Sequence, residues 1–197
     1  MGKTMFEPPS PIEEVQIAVS FPGLDSIDLG TFIPPDSLSI KQLASSSFDA
    51  LIVSGLSVDK EQEIASYCEK IGTLFIIFGS PSNDKQAIKD AISNITGKLY
   101  SHEMPNNFDL ADLRNLKRHS EQIYAFNDSR KTLDFLALEN TGEVTGAIYL
   151  SHGRAIKNDC KDICNELLTH ILRNGTLCFS SYAPAYTECT ILVGINQ

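Results

Sequence analysis

Hydrophobic positions along this 197-residue chain fall into two kinds of run, and their alternation predicts an α/β protein. Short apolar runs lie at residues 15–20 (VQIAVS), 49–54 (DALIVS) and 74–78 (LFIIF). They do not alternate with polar residues, which predicts strands of a parallel sheet covered on both faces. Between them the apolar spacing changes to three and four. Ile64, Tyr67, Cys68 and Ile71 predict a helix over 59–71, with Asp59 and Gln62 as a capping box and Gly72 as the stop. Ile88, Ala91, Ile92 and Ile95 predict a second helix over 84–96, stopped by Gly97 and followed by a short last strand at 98–101. Residues 24–35 contain Asp25, Asp28, Gly30, Pro34 and Pro35, which argue against a helix. A short strand within 27–33 and a short helix at 39–46 are expected there.

In the second half, Leu110, Leu113 and Leu116 predict a helix over 108–120, with Asp109 near its cap and Arg114, Lys117, Arg118 and His119 toward its C-terminus. Strands are expected at 130–138 and 143–150, joined as a hairpin through Asn140 and Gly142, with Val144, Ile148 and Leu150 sharing one face. A tight turn at Ser151-His152-Gly153 leads to a second short strand at 154–157. Cys160, Ile163, Cys164, Leu167, Leu168 and Ile171 then predict an amphipathic helix, capped by Asp159 and stopped by Gly175. Residues 176–182 and 186–193 flank Ala183-Pro184-Ala185 as a second hairpin. The expected architecture is an N-terminal parallel sheet with helices on both faces at 14–105. A smaller α+β part with antiparallel hairpins and one covering helix follows at 106–197. Residues 1–13, with Pro8, Pro9 and Pro11, read as a flexible tail.

Three resemblances attach to these residues. Ile148, Tyr149, Leu150, Gly153, Arg154 and Ile156, followed by Leu167, Leu168, Gly175 and Phe179, resemble the core of the bacterial PATAN family. The resemblance covers roughly 107–189 and departs at Asn158, where a small apolar residue is usual. It implies a non-enzymatic signalling module of the kind found beside receiver domains. The first half resembles a response-regulator receiver domain, with residues 49–54 in the place of the strand that ends in the phosphoacceptor. Ser54 holds the acceptor position, Ser20-Phe21-Pro22 replaces the acidic pair, and Met104-Pro105 stands where Lys-Pro is expected. That resemblance implies a pseudo-receiver, since phosphotransfer needs a carboxylate nucleophile, cation-binding carboxylates and a lysine. Residues 46–56 and 72–77 are also similar to the later half of a Rossmann methyltransferase. Only Phe21-Pro22-Gly23 follows the first strand, however, without the spaced glycines of a cofactor turn.

Composition narrows the partners. Sixteen basic against 25 acidic residues give a net charge of −9, which disfavours nucleic acid and anionic membranes. No apolar run reaches the length of a membrane span, and the N-terminus lacks the layout of a signal peptide, so a cytoplasmic protein with five free cysteines is expected. Cys160 and Cys164, one helical turn apart, would need His152 or His170 to make a zinc site; two cysteines on a buried stripe are the plainer reading. Ser54-Gly55 lacks the first glycine of a nucleophile elbow. His102 lies on a loop at the sheet's C-terminal edge, where α/β ligands tend to bind. Gly153 suits a positive φ, and Arg154 either braces that turn or pairs with a partner. The sequence therefore points to a protein that works by binding another protein, self-association included. No catalytic residue, cofactor or metal is expected, and partner contacts are placed at Gly153, Arg154, His152, Ser54 and His102. The competing readings are a methyltransferase-like enzyme and a structural assembly subunit whose hairpin edge at 186–193 extends a sheet between chains.

Overall fold

The computed structural model describes residues 14–101, 108–153, 157–185 and 187–197. Its strands are β1 (Ile17–Ser20), β2 (Thr31–Phe32), β3 (Ala50–Val53), β4 (Leu74–Gly79), β5 (Gln122–Phe126), β6 (Glu143–His152), β7 (Ile171–Tyr182) and β8 (Cys189–Asn196). Its helices are α1 (Ile40–Ala44), α2 (Val58–Ile71), α3 (Lys85–Tyr100), α4 (Leu110–His119), α5 (Ser129–Leu136) and α6 (Lys157–His170). The eight strands of the described residues form one sheet in the order β2-β1-β3-β4-β5-β8-β6-β7. Every neighbouring pair is parallel except those made by β8, which runs against both β5 and β6. The α/β class is as expected, with a sheet that is mostly parallel.

Helices cover both faces. Under α3 and α4 lies one core that runs through both halves, from Ile17, Ile52 and Phe78 to Ile123, Ile148 and Leu192. The opposite face carries two cores. One joins Leu51 and Val53 to Leu43 of α1 and to Ile64 and Cys68 of α2. The other joins Tyr149 and Ile191 to Leu136 of α5 and Leu167 of α6. The expected boundary at 105/106 coincides with no break in the sheet, because β4 pairs with β5 in parallel.

Local chemistry explains most helix starts. Asp84 accepts from the Gln86 and Ala87 N–H groups, Asp128 from Lys131, and Asp109 forms a reciprocal capping box with Asp112. Each such cap is worth about 1 kcal/mol. The Asp59–Gln62 box is corrected: α2 starts at Val58 after Ser57, which places Asp59 in the first turn, while Gly72 ends the helix at φ 77° as expected.

Several further expectations are corrected. Gly97 does not stop α3, which continues to Tyr100 and absorbs the short strand expected at 98–101. A Cβ on Gly97 would lie 2.1 Å from the Tyr182 hydroxyl oxygen, so glycine is there to admit a neighbour. The strand expected at 130–138 is helix α5, where Ser129, Thr132 and Leu136 are buried at helical spacing. The first hairpin therefore does not exist, and the missing fifth parallel strand is residues 122–126. Asp159 lies inside α6 instead of at its cap, and Gly175 lies inside β7. The second short strand at 154–157 falls largely outside the described residues.

The C-terminal half is not a set of hairpins. β6, α6 and β7 form a parallel crossover, and β8 inserts between β5 and β6 without pairing to β7. Residues 189–193 are therefore central and buried, which removes the edge expected at 186–193. A bulge between Val144 and Gly146 explains one more departure. It sends Val144 to the α5/α6 core while Ile148 and Leu150 stay under α3 and α4.

Candidate functional site

The parallel strands deliver serine to the sheet's C-terminal rim: Ser20 ends β1, Ser54 follows β3 and Ser80 follows β4. The Ser54 N–H donates to the Ser20 carbonyl at 3.2 Å, and Ser54 is buried. His152 ends β6 on the same rim. Four strand spacings separate β3 from β6, about 19 Å, so Ser54 and His152 do not share a site. Gly153 is exposed at φ 66°, with open space where a Cβ would stand, so its backbone conformation is what calls for glycine. His102 and Arg154 lie outside the described residues.

His152 is 6% exposed and sits in a polar network that sequence reasoning did not reach. Its Nδ1 lies 3.0 Å from the Thr187 carbonyl oxygen and 3.1 Å from the Thr187 hydroxyl. A carbonyl only accepts, so Nδ1 carries the proton and Nε2 is the bare nitrogen; Nε2 has no hydrogen-bond partner among the described residues. Asn94 of α3 donates to the hydroxyls of Thr187 at 3.4 Å and Thr190 at 3.0 Å. Burial lowers the His152 pKa below its ordinary value, against smaller opposing effects of the Thr187 hydrogen bond and the Asp90 carboxylate. A neutral imidazole tied this way fastens the connection between β7 and β8 to the end of β6. Among the described residues no nucleophile bonds to Nε2.

The cysteines gather on the opposite face. Cys160 and Cys164 of α6 point toward the sheet, and the Tyr149 hydroxyl donates to the Cys160 sulfur at 3.9 Å. Burial raises the thiol pKa values of Cys164 and Cys189, which keeps them protonated. Among the described residues no three His, Cys, Asp or Glu side chains come together in a way that holds a metal ion. Cys178, on the α4 side of β7, is pushed up to about 12 by burial, with Asp112 adding to the effect.

The least finished part of the molecule is the β7 edge. Residues 176–182 pair in register with 146–152 of β6, and among the described residues no strand lies on their other side. The seven residues TLCFSSY carry no charge and no proline. Beside them α6 and β7 bound an open groove of about 700 Å³, lined by Cys160, Cys164, Leu168, Leu177 and Phe179, with Ser151, Ser181, Gly153 and Lys161 toward its polar margin. Leu168 is 51% exposed and Phe179 36%, and the Phe179 ring rests on Tyr149 at 5.5 Å between centroids. The polar edge groups and exposed apolar side chains on β7 adjoin one another. Sequence reasoning did identify Phe179 as notable, though as a family marker and not as an edge residue. Only the predicted helix-strand-strand order could have suggested an edge, and that order placed it on the wrong strand.

Comparison of this chain with protein-family models and with curated proteins finds no match. What is established is an α/β fold with a mostly parallel sheet in which, among the described residues, β7 is the outermost strand beside β6. Among the described residues no helix is long and apolar enough to cross a membrane.

Proposed function

We propose that this chain works without catalysis, by accepting an extended segment of another polypeptide along the outer side of residues 176–179 of β7. One observation carries the reading: among the described residues no strand pairs with the uncharged residues 176–179 of β7 on the side away from β6. Every second residue of such an edge directs its N–H and C=O away from the sheet, and an added strand satisfies those groups. The adjoining groove, with Leu168, Leu177 and Phe179, supplies apolar contacts for the partner's side chains. On this reading the first half is a rigid scaffold. Its strands β2-β1-β3-β4-β5, all parallel, suit the receiver-like resemblance, and serine at the rim suits a pseudo-receiver without phosphotransfer.

The test is quantitative capture on the immobilised full chain, comparing wild type with Phe179→Lys and with Arg154→Ala. Proteins retained by wild type are expected to be lost from Phe179→Lys, whose ammonium would stand at the pairing edge. An identical set on both, after folding has been checked by circular dichroism, would remove the β7 edge from the function.

A further inference from the structure

Apart from the β7 edge, a crevice opens at the carboxyl ends of β4 and β5, and the path of the chain explains it. The two strands are parallel neighbours. The chain leaves β4 toward α3, on the face whose core holds Ile88 and Ile92. It leaves β5 toward α5, on the opposite face with Leu136. Connections that part in this way leave a gap outside the strand ends, which is where ligands of open α/β sheets bind. The gap measures about 520 Å³, within the roughly 300–1,000 Å³ of small-molecule sites.

The floor of this crevice is apolar and its mouth carries both signs of charge. Ala125 and Phe126 at the end of β5 and Phe135 of α5 line the floor, and the two rings lie 5.4 Å apart between centroids. Leu138, just past α5, lines the wall and is 61% exposed. Lys131 and Asp134 of α5, three positions apart on one side of the helix, also line the crevice, as does Asp84 at the start of α3. Asp84 is held in place by its own loop. Its N–H donates to the Ser80 Oγ at 3.1 Å, and its Oδ1 accepts from the Gln86 and Ala87 N–H groups at 3.0 Å each. Its Oδ2 is left toward Lys131, whose Nζ stands 3.7 Å away, too far for a hydrogen bond. The Lys131 side chain is 65% exposed, so its ammonium group can turn to a ligand at the mouth.

From this arrangement we infer that the crevice binds a free α-amino acid with an aromatic side chain. The ammonium group of the ligand has Asp84 and Asp134 as its acceptors, its carboxylate accepts from Lys131, and its ring rests on Phe126 and Phe135 and covers Leu138. Charge complementarity decides the class. Two carboxylates repel a plain acid, and a plain amine takes Asp84 from Lys131 and gives Lys131 nothing in return. A zwitterion pairs with both signs at once. The floor decides the side chain, because an aromatic ring gains from contact with two others beyond the area it buries.

Amide NMR titration of the full chain with L-phenylalanine, L-phenylalaninamide and N-acetyl-L-phenylalanine tests the assignment. The amide lacks the carboxylate and the acetyl form lacks the cation, while both keep the ring. L-Phenylalanine is expected to bind with shifts centred on residues 80–84 and 125–138. Each blocked form is expected to bind with an affinity lower by roughly tenfold, since each loses one charge-assisted contact. Lys131→Gln is expected to bring L-phenylalanine down to the affinity of its amide, and Asp134→Asn to narrow its advantage over the acetyl form. Both replaced side chains are exposed, so the fold does not depend on them. Equal affinity for all three compounds in wild type would leave only apolar contact and overturn the proposal. Tighter binding of the amide would make the crevice an amine site and overturn it too. Shifts confined to other residues, or none at millimolar ligand, would remove the site itself.

Discussion

At one end of the sheet β2 offers two residues, Thr31 and Phe32, set between Gly30 and the Pro34-Pro35 pair. At the other end β7 offers seven in-register residues with neither proline nor charge. Exposed edges invite pairing with another chain, and shortness and proline are common ways to prevent it. The first edge is blunted in both ways and the second in neither over its paired stretch. The protection β7 does have, the register shift with Arg173 and Asn174, lies at its N-terminal end, before the stretch that begins at Thr176. The contrast teaches that the pairing capacity of this sheet is concentrated at one end.

The hardest test of that contrast lies between the edges. Leu192 of β8 is fully buried in the core shared by α3 and α4. Leu192→Ala is expected to lower stability by about 3 kcal/mol in urea unfolding. Because β8 sits between β5 and β6 and the core beneath it reaches β1, unfolding is expected as a single transition. Two separated transitions would mean that the halves fold apart and that the edges belong to different bodies.

A smaller effect concerns the far end of the long edge, where His152 pairs with Tyr182 in register and holds Thr187. The folded protein lowers the His152 pKa below its ordinary value of 6.5. The unfolded state therefore binds the proton more readily, so this contribution is complete above pH 6.5 and is lost as pH falls through the folded value. Protonation would bury a charge and give Nε2 an N–H without an acceptor. Wild-type stability is expected to drop between neutral and mildly acidic pH more steeply than that of His152→Gln. Hydrogen exchange at 183–188 is expected to rise in parallel. Equal slopes for the two proteins would separate His152 from the anchoring of this edge.

The smallest expected effect is at β2. Thr31 is exposed, and Thr31→Lys is expected to change stability by no more than about 0.5 kcal/mol and to leave the set of captured proteins unaltered. A loss of captured proteins in Thr31→Lys would break the contrast between the two ends.

Much of the first half was legible because its signals are local. Residues 50–53 and 74–79 are strands where apolar runs stand, and α2 and α3 follow the spacing of Ile64 with Cys68 and of Ile88 with Ile95. The failures are physical in origin. Gly97 reads as a stop because glycine weakens helices, yet here it admits the Tyr182 ring from a strand more than eighty residues away. Residues 130–138 read as alternating because Leu133, Phe135 and Ala137 fall two apart, but Thr132 and Leu136, four apart, are the ones the core buries. The candidate site was barely legible. His152 was singled out for its turn, while its partners Asn94 and Thr187 come from an unrelated helix and loop. The rim serines were visible as positions, and their separation from His152 was not.

The order of residues by itself determined which segments could be buried strand and which amphipathic helix, since those choices depend on spacing within a few residues. It also determined the caps at Asp84, Asp109 and Asp128, whose partners lie two or three positions away. Only the tertiary structure decided that β8 would enter between β5 and β6 and leave β7 outermost. Strand order depends on how distant segments compete for the same hydrogen-bonding edge once the helices have packed, and no local spacing records the outcome of that competition.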